Sequence, residues 1–125
     1  MKLLFFWKPL LWLAFICYAL FIPASDLPTG PFLNIPHFDK VVHFILFFIL
    51  CLLFFRPFKK LNTSYYLWAT LFSVGLSALL EMIQHIVSSS RASDIYDFLS
   101  NTTGVLVSAL FFRFIVENRR WEKLF

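Results

Sequence analysis

Four solid apolar stretches, each separated from the next by a short polar or proline-containing break, set the terms on which this chain can fold. They fall at about residues 3–22, 39–55, 64–87 and 95–116 of 125. Unbroken apolar runs suit helices, whereas the strands of a membrane barrel alternate polar and apolar residues. Hydrophobic residues make up 60% of the chain and charged residues 14%, more apolar surface than one soluble core of this size can hide. The expectation is a single all-α domain over residues 1–125. It is a polytopic membrane protein folded as a bundle of four transmembrane helices.

The breaks between the runs add detail. Met1, Lys2 and the first run resemble a signal peptide, but the run is long and no small-x-small cleavage site follows, so it is read as a span. Pro9 is expected to kink that span. Val41 to Phe55 is short for a crossing, so Asp39 and Lys40 are expected in the first turn of the second helix. Arg56, Pro57, Lys59 and Lys60 read as a tight basic turn, Ser88 to Asp94 as a polar connection, and Glu117 to Phe125 as an amphipathic tail. Cys17 and Cys51 each lie inside an apolar run and read as small buried hydrophobes rather than a disulfide. Phe44, Phe47, Phe48, Phe54 and Phe55 suit lipid contact and packing. Trp7, Trp12, Trp68 and Trp121 suit interfacial anchoring, and Gly75, Gly104 and Ser108 close helix approach.

Charge sets an orientation. Lys2, Lys8, Arg56, Lys59, Lys60, Arg113, Arg119, Arg120 and Lys123 fall on one side of a four-span chain, and only Lys40 and Arg91 on the other. The positive-inside rule then places both termini in the cytoplasm. The same asymmetry accounts for the net charge of +4, so no nucleic-acid partner is expected.

The residues that carry chemistry gather on the side poor in basic residues. Asp39 and His43 are four apart and share a face of the second helix. Glu81, Gln84 and His85 form a stripe near the end of the third, and Asp94, Asp97 and Asn101 another at the start of the fourth. The first helix adds little beyond Tyr18. Asp39, Asp94 and Asp97 also have a simpler use as helix caps and first-turn acids, Gln84 and Asn101 as interhelical hydrogen-bonding groups, and His37 as a solvated loop residue. Glu81 resists such a reading, because it lies about two turns inside its helix and near the C-terminal end of the dipole. A carboxylate there needs a cation or several donors. Asp39, His43, Glu81 and His85 could in principle hold a metal, but no zinc spacing such as HExxH occurs and no metal or other cofactor is assigned. No nucleophile elbow or phosphate-binding glycine loop occurs either. General acid–base work by Glu81, His43 or Asp97 with water as nucleophile would need none.

Phe38-Asp39-Lys40-Val41-Val42-His43, then Glu81-Met82-Ile83-Gln84, then Arg91-Ala92-Ser93-Asp94-Ile95-Tyr96-Asp97 with Asn101 and Gly104, resembles the VanZ-like family of bacterial membrane proteins. The shared pattern is Asp-Lys-x-x-His, Glu-x-x-Gln and Arg-x-x-Asp-x-x-Asp-x-x-x-Asn-x-x-Gly, and it covers about residues 39–108. Ser108 stands where members often carry a second glycine. The resemblance implies a bacterial cell-membrane protein, in a family named from a member associated with teicoplanin resistance.

Three functions compete at this stage. One is a site at the outer leaflet that binds or modifies an amphiphile, namely a lipid head group, a cell-wall precursor or a lipoglycopeptide. In it Glu81, His43 and Asp97 are the candidates for chemistry, and Asp39, Lys40, Gln84, Arg91, Asp94 and Asn101 hold the ligand, with Lys40 and Arg91 on an anion. The second is a non-catalytic bundle locked by its polar cluster. The third is a carrier, for which four helices are few unless the chain forms an oligomer. Orientation has its own test: a reporter fused after Pro36 should be active outside the cell, and one fused after Lys60 inside it.

Overall fold

The computed structural model describes residues 2–22, 30–31, 35–61, 64–87 and 95–125. Among them no strand occurs. The chain opens with a 3₁₀ turn, Lys2–Phe6, that leads into α1 (Trp7–Phe21). It continues through α2 (Phe38–Leu61), α3 (Tyr65–Val87) and α4 (Ile95–Phe111), and α4 ends in a π-helical turn, Phe112–Val116. Each of the four helical stretches is long and apolar enough to cross a membrane. Both ends of the chain lie at the same end of the bundle, where the Lys8 ammonium donates to the Leu124 carbonyl at 2.6 Å. That end is called proximal below, and the opposite one distal.

The second helix is longer than its apolar run. Arg56, Pro57, Lys59 and Lys60 form its last turns rather than a loop, and only residues 62–64 separate α2 from α3. Pro57 is buried within these last turns, its ring replacing the N–H that would otherwise donate to the Leu53 carbonyl. Pro9 sits in the first turn of α1, where an amide N–H has no acceptor within that helix in any case.

The core is organised around α2. Half of its most apolar window is buried, against 17% for α1. Phe47, Leu50, Cys51, Phe54 and Phe55 on α2 are essentially inaccessible, so three of its seven phenylalanines are fully buried. Both cysteines are free thiols, and the buried one, Cys51, lies beside the Ser73 and Ser108 hydroxyls.

α2 and α4 both start at the distal end and run side by side in parallel. Lys40 meets Asp97, His43 meets Asn101, Cys51 meets Ser108, and the Phe55 ring stacks on Phe112 at 4.6 Å. Between these pairs Gly104 lies directly against the backbone of α2. A Cβ there would overlap the Phe44 carbonyl oxygen and come within 3.2 Å of the Phe48 backbone nitrogen. Gly75, by contrast, faces open space with nothing within 4 Å of where its Cβ would be, so it serves no close helix contact.

At the proximal end the segment after α4 folds back over the helix ends. Tyr65 and Tyr66 at the start of α3 donate their hydroxyls to the two oxygens of Glu117. Burial alone would raise the Glu117 pKa. The two tyrosine hydrogen bonds and the nearby Lys59 and Arg113 charges outweigh it and hold the carboxyl below its ordinary range. Trp12 is also no interfacial anchor, since its indole N–H donates at 2.9 Å to the Leu46 carbonyl and ties α1 to α2.

The two helical glycines should therefore respond oppositely to the same methyl group. Gly104→Ala forces α4 away from α2 and should cost about 2 kcal/mol or more, because the clash is with backbone that no rotamer can relieve. Gly75→Ala should be neutral or stabilise by up to about 1 kcal/mol through helix propensity. Thermal unfolding in detergent measures both, and the opposite ranking would contradict the α2–α4 contact.

Candidate functional site

The distal end holds the buried ionisable side chains, His43, Glu81 and Asp97. Lys40 stands in the first turn of α2, and its ammonium contacts Asp97 of α4 at 2.6 Å and its neighbour Asp39 at 2.8 Å. The two carboxylates are not equivalent: the Asp97 side chain is 9% exposed and that of Asp39 58%. Only the pair with Asp97 joins two helices in a setting where charge is costly to separate. Asp39 instead lies on the rim, so the inward face of α2 is Lys40 with His43, three residues apart, rather than Asp39 with His43.

One turn deeper, His43, Glu81 and Asn101 meet from three helices. Asn101 donates its amide to Glu81 Oε1 at 3.1 Å, and its Oδ1 lies 3.0 Å from His43 Nδ1. His43 Nδ1 is also 3.4 Å from Glu81 Oε1. Both neighbours of Nδ1 are acceptors, so Nδ1 carries the hydrogen, and the carboxylate fixes which way round the amide sits. The amide and the carboxylate together fix the tautomer and the orientation of the His43 ring.

The chemistry of the set also suits a cation. His43, Glu81 and Asp97, all buried, offer one ligand atom each within 4.8 Å of one another, a nitrogen and two oxygens of the kind zinc or manganese accepts. The sequence pointed to Asp39 and His85 in such a set. Both are exposed, and Asp97 takes their place. The positive charge that the structure does set against Asp97 is the Lys40 ammonium.

Other expected site residues divide. Gln84 is buried but donates at 2.8 Å to the Leu20 carbonyl, joining α3 to α1. Tyr18 is exposed, so α1 contributes through Leu20 and Trp12 instead. Arg91 and Asp94 lie outside the described residues. The polar line also continues where no charge marks it. Ser73, Ser77, Glu81 and Gln84 on α3, and Asp97, Asn101, Gly104 and Ser108 on α4, are buried at helical spacing and form a seam against α2. Serine at i and i+4 before Glu81 was the available signal for that seam.

Two grooves flank the cluster. One, of about 650 Å³ between α2 and α4, is lined by His37, Asp39, Lys40 and Tyr96 at its mouth and by Val41, Phe44, Leu99, Ser100 and Thr103 below. The other, of about 400 Å³ between α3 and α4, is walled by Ala78, Met82, Ile86, Ile95 and Phe98, with Glu81 and His85 as its polar members. Lys40 and Glu81 thus reach from the buried network into different grooves.

A four-helix, multi-pass membrane protein with a buried polar seam whose ionisable groups gather at one end is the class these features define. Within it, the sequence profile of the VanZ/LLP1 family matches residues 5–116, and the chain belongs to that family. No curated protein and no solved structure matches the chain.

The two carboxylates around Lys40 give a direct comparison. Asp97→Asn leaves a half-buried ammonium without its interhelical partner and should cost about 3 kcal/mol. Asp39→Asn removes an exposed neighbour and should cost less than about 1 kcal/mol. Detergent-solubilised melting curves decide, and equal losses would remove the α2–α4 ion pair from its assigned place.

Proposed function

We propose that the distal end of the bundle is a binding site for an amphiphile in the outer leaflet of a bacterial cell membrane. The nine-to-two distribution of Lys and Arg supports placing this end on the extracytoplasmic side. The observation that carries the reading is the groove between α2 and α4. Its mouth is charged and its walls are mainly apolar, so a head group would rest at Asp39 and Lys40 while an acyl chain runs along Val41, Phe44 and Leu99.

Charge refines the ligand. Lys40 is already shared by two carboxylates, so it is poorly suited to hold an anion by itself. Asp39, the exposed member, favours a head group with an ammonium or amide donor. Lipid head groups, cell-wall precursors and lipoglycopeptides of the teicoplanin type all offer such groups. Modification of the ligand would fall to His43, oriented by Glu81, with water as nucleophile.

A second reading is favoured by a specific observation too. The contacts Lys40–Asp97 and His43–Asn101–Glu81 connect α2, α3 and α4 to one another, which is what a purely structural lock requires.

Thr103→Trp separates the two. Thr103 is exposed on the groove wall, so a larger ring fills the groove without entering the seam. Wild type purified from a bacterial membrane should retain an amphiphile detectable by mass spectrometry, and the variant should lose at least about tenfold of it with its melting temperature unchanged. Equal retention would favour the lock. A chemical role further requires that wild type convert a component of a bacterial lipid extract and that Glu81→Gln not do so.

A further inference from the structure

The proximal end carries a second charged cavity, unrelated to the distal seam. About 340 Å³ in volume, it is lined by Arg56, Lys59 and Lys60 from the last turns of α2, and by Glu122 and Lys123 from the C-terminal 3₁₀ turn (Arg120–Leu124). Four cations therefore face one acid. That acid is spent within the protein. One Glu122 oxygen accepts from Lys59 at 2.9 Å, and the other accepts the Asn118 backbone N–H at 2.6 Å. Arg56 gives one guanidinium N–H to the Lys123 carbonyl, which fixes the guanidinium beside the cavity. Among the described residues, Arg56, Lys60 and Lys123 have no carboxylate partner.

The surroundings say what kind of anion this is built for. The Arg56 guanidinium lies 5.4 Å and the Lys60 ammonium 5.9 Å from the Phe5 ring centroid, so one aromatic ring attracts both cations and helps hold them together. Leu3, Leu4, Leu61 and Leu124 are exposed at the same end of the bundle, as are Trp7 and Trp121, the side chains of a membrane–water boundary. A planar guanidinium with two ammoniums matches the oxygens of a phosphate, and the apolar surround matches the chains attached to it. We propose that this pocket binds the phosphate of an anionic phospholipid, clamping the C-terminal 3₁₀ turn to the end of α2.

The test uses the full chain in dodecyl maltoside micelles doped with phosphatidylglycerol or phosphatidylcholine, read by native mass spectrometry and by melting temperature. Wild type should retain about tenfold more phosphatidylglycerol than phosphatidylcholine and melt several degrees higher with it. Lys60→Gln combined with Lys123→Gln should abolish both effects, with lipid-free melting unchanged because neither side chain has an ion pair. Arg119→Gln combined with Arg120→Gln makes the same charge change outside the cavity and should leave retention intact. Retention by the pocket variant equal to wild type would overturn the proposal. So would an equal loss in the control variant, which would mark diffuse charge attraction. An equal rise in melting temperature with inorganic phosphate alone would assign the pocket to soluble phosphates and overturn the lipid assignment.

Discussion

The closeness of α4 to α2 at Gly104 is the contact on which the other distal interactions depend. Without a side chain at that position, the α4 backbone rests on the carbonyl of Phe44. That distance lets Asn101, about one turn earlier, reach His43, and lets Asp97, about two turns earlier, reach Lys40. In lipid there is no water to satisfy a polar group that misses its partner, so spacing and polarity must agree. The small residue comes first in this hierarchy, and the charges follow from it.

Much of this was legible in the sequence. Four spans follow from length and apolarity, and the cluster of His43, Glu81, Asp97 and Asn101 follows from helical spacing on three separate runs. The profile match to the VanZ/LLP1 family covers the same stretch. What spacing could not settle was which side of a narrow helix faced inward. Asp39 and Lys40 are adjacent, and a step of about 100° puts one on the rim and the other in the seam. His85 and Gln84 divide in the same way, because a stripe read as three residues wide is in fact two.

Other misreadings share one cause, that a residue type has two uses and only packing selects between them. Gly75 and Gly104 look equivalent in a sequence, yet one faces open space and the other a backbone. Trp12 was indistinguishable from Trp7 until its N–H was seen to donate to Leu46. Arg56 to Lys60 carried turn-like charge and a proline, but a helix entering the head-group region can keep its form there, with long basic side chains reaching outward. Ser73 and Ser77 carry only their spacing as a signal, because a helical hydroxyl can be satisfied by its own backbone; Ser73 donates to the Ala69 carbonyl of its own helix.

The parallel pairing of α2 with α4 bears on how the chain is made. The partners in the distal contacts are separated by 57 and 58 residues, so α2 leaves the ribosome and enters the bilayer well before α4 exists. Through that interval Lys40 has only its neighbour Asp39, and His43 lacks the Asn101 side chain that later bonds to it. A lysine in the first turn can shelter at the membrane surface, whereas a histidine a turn deeper cannot. The distal contacts between α2 and α4 therefore close only once the last helix has been made, which makes them late events in assembly.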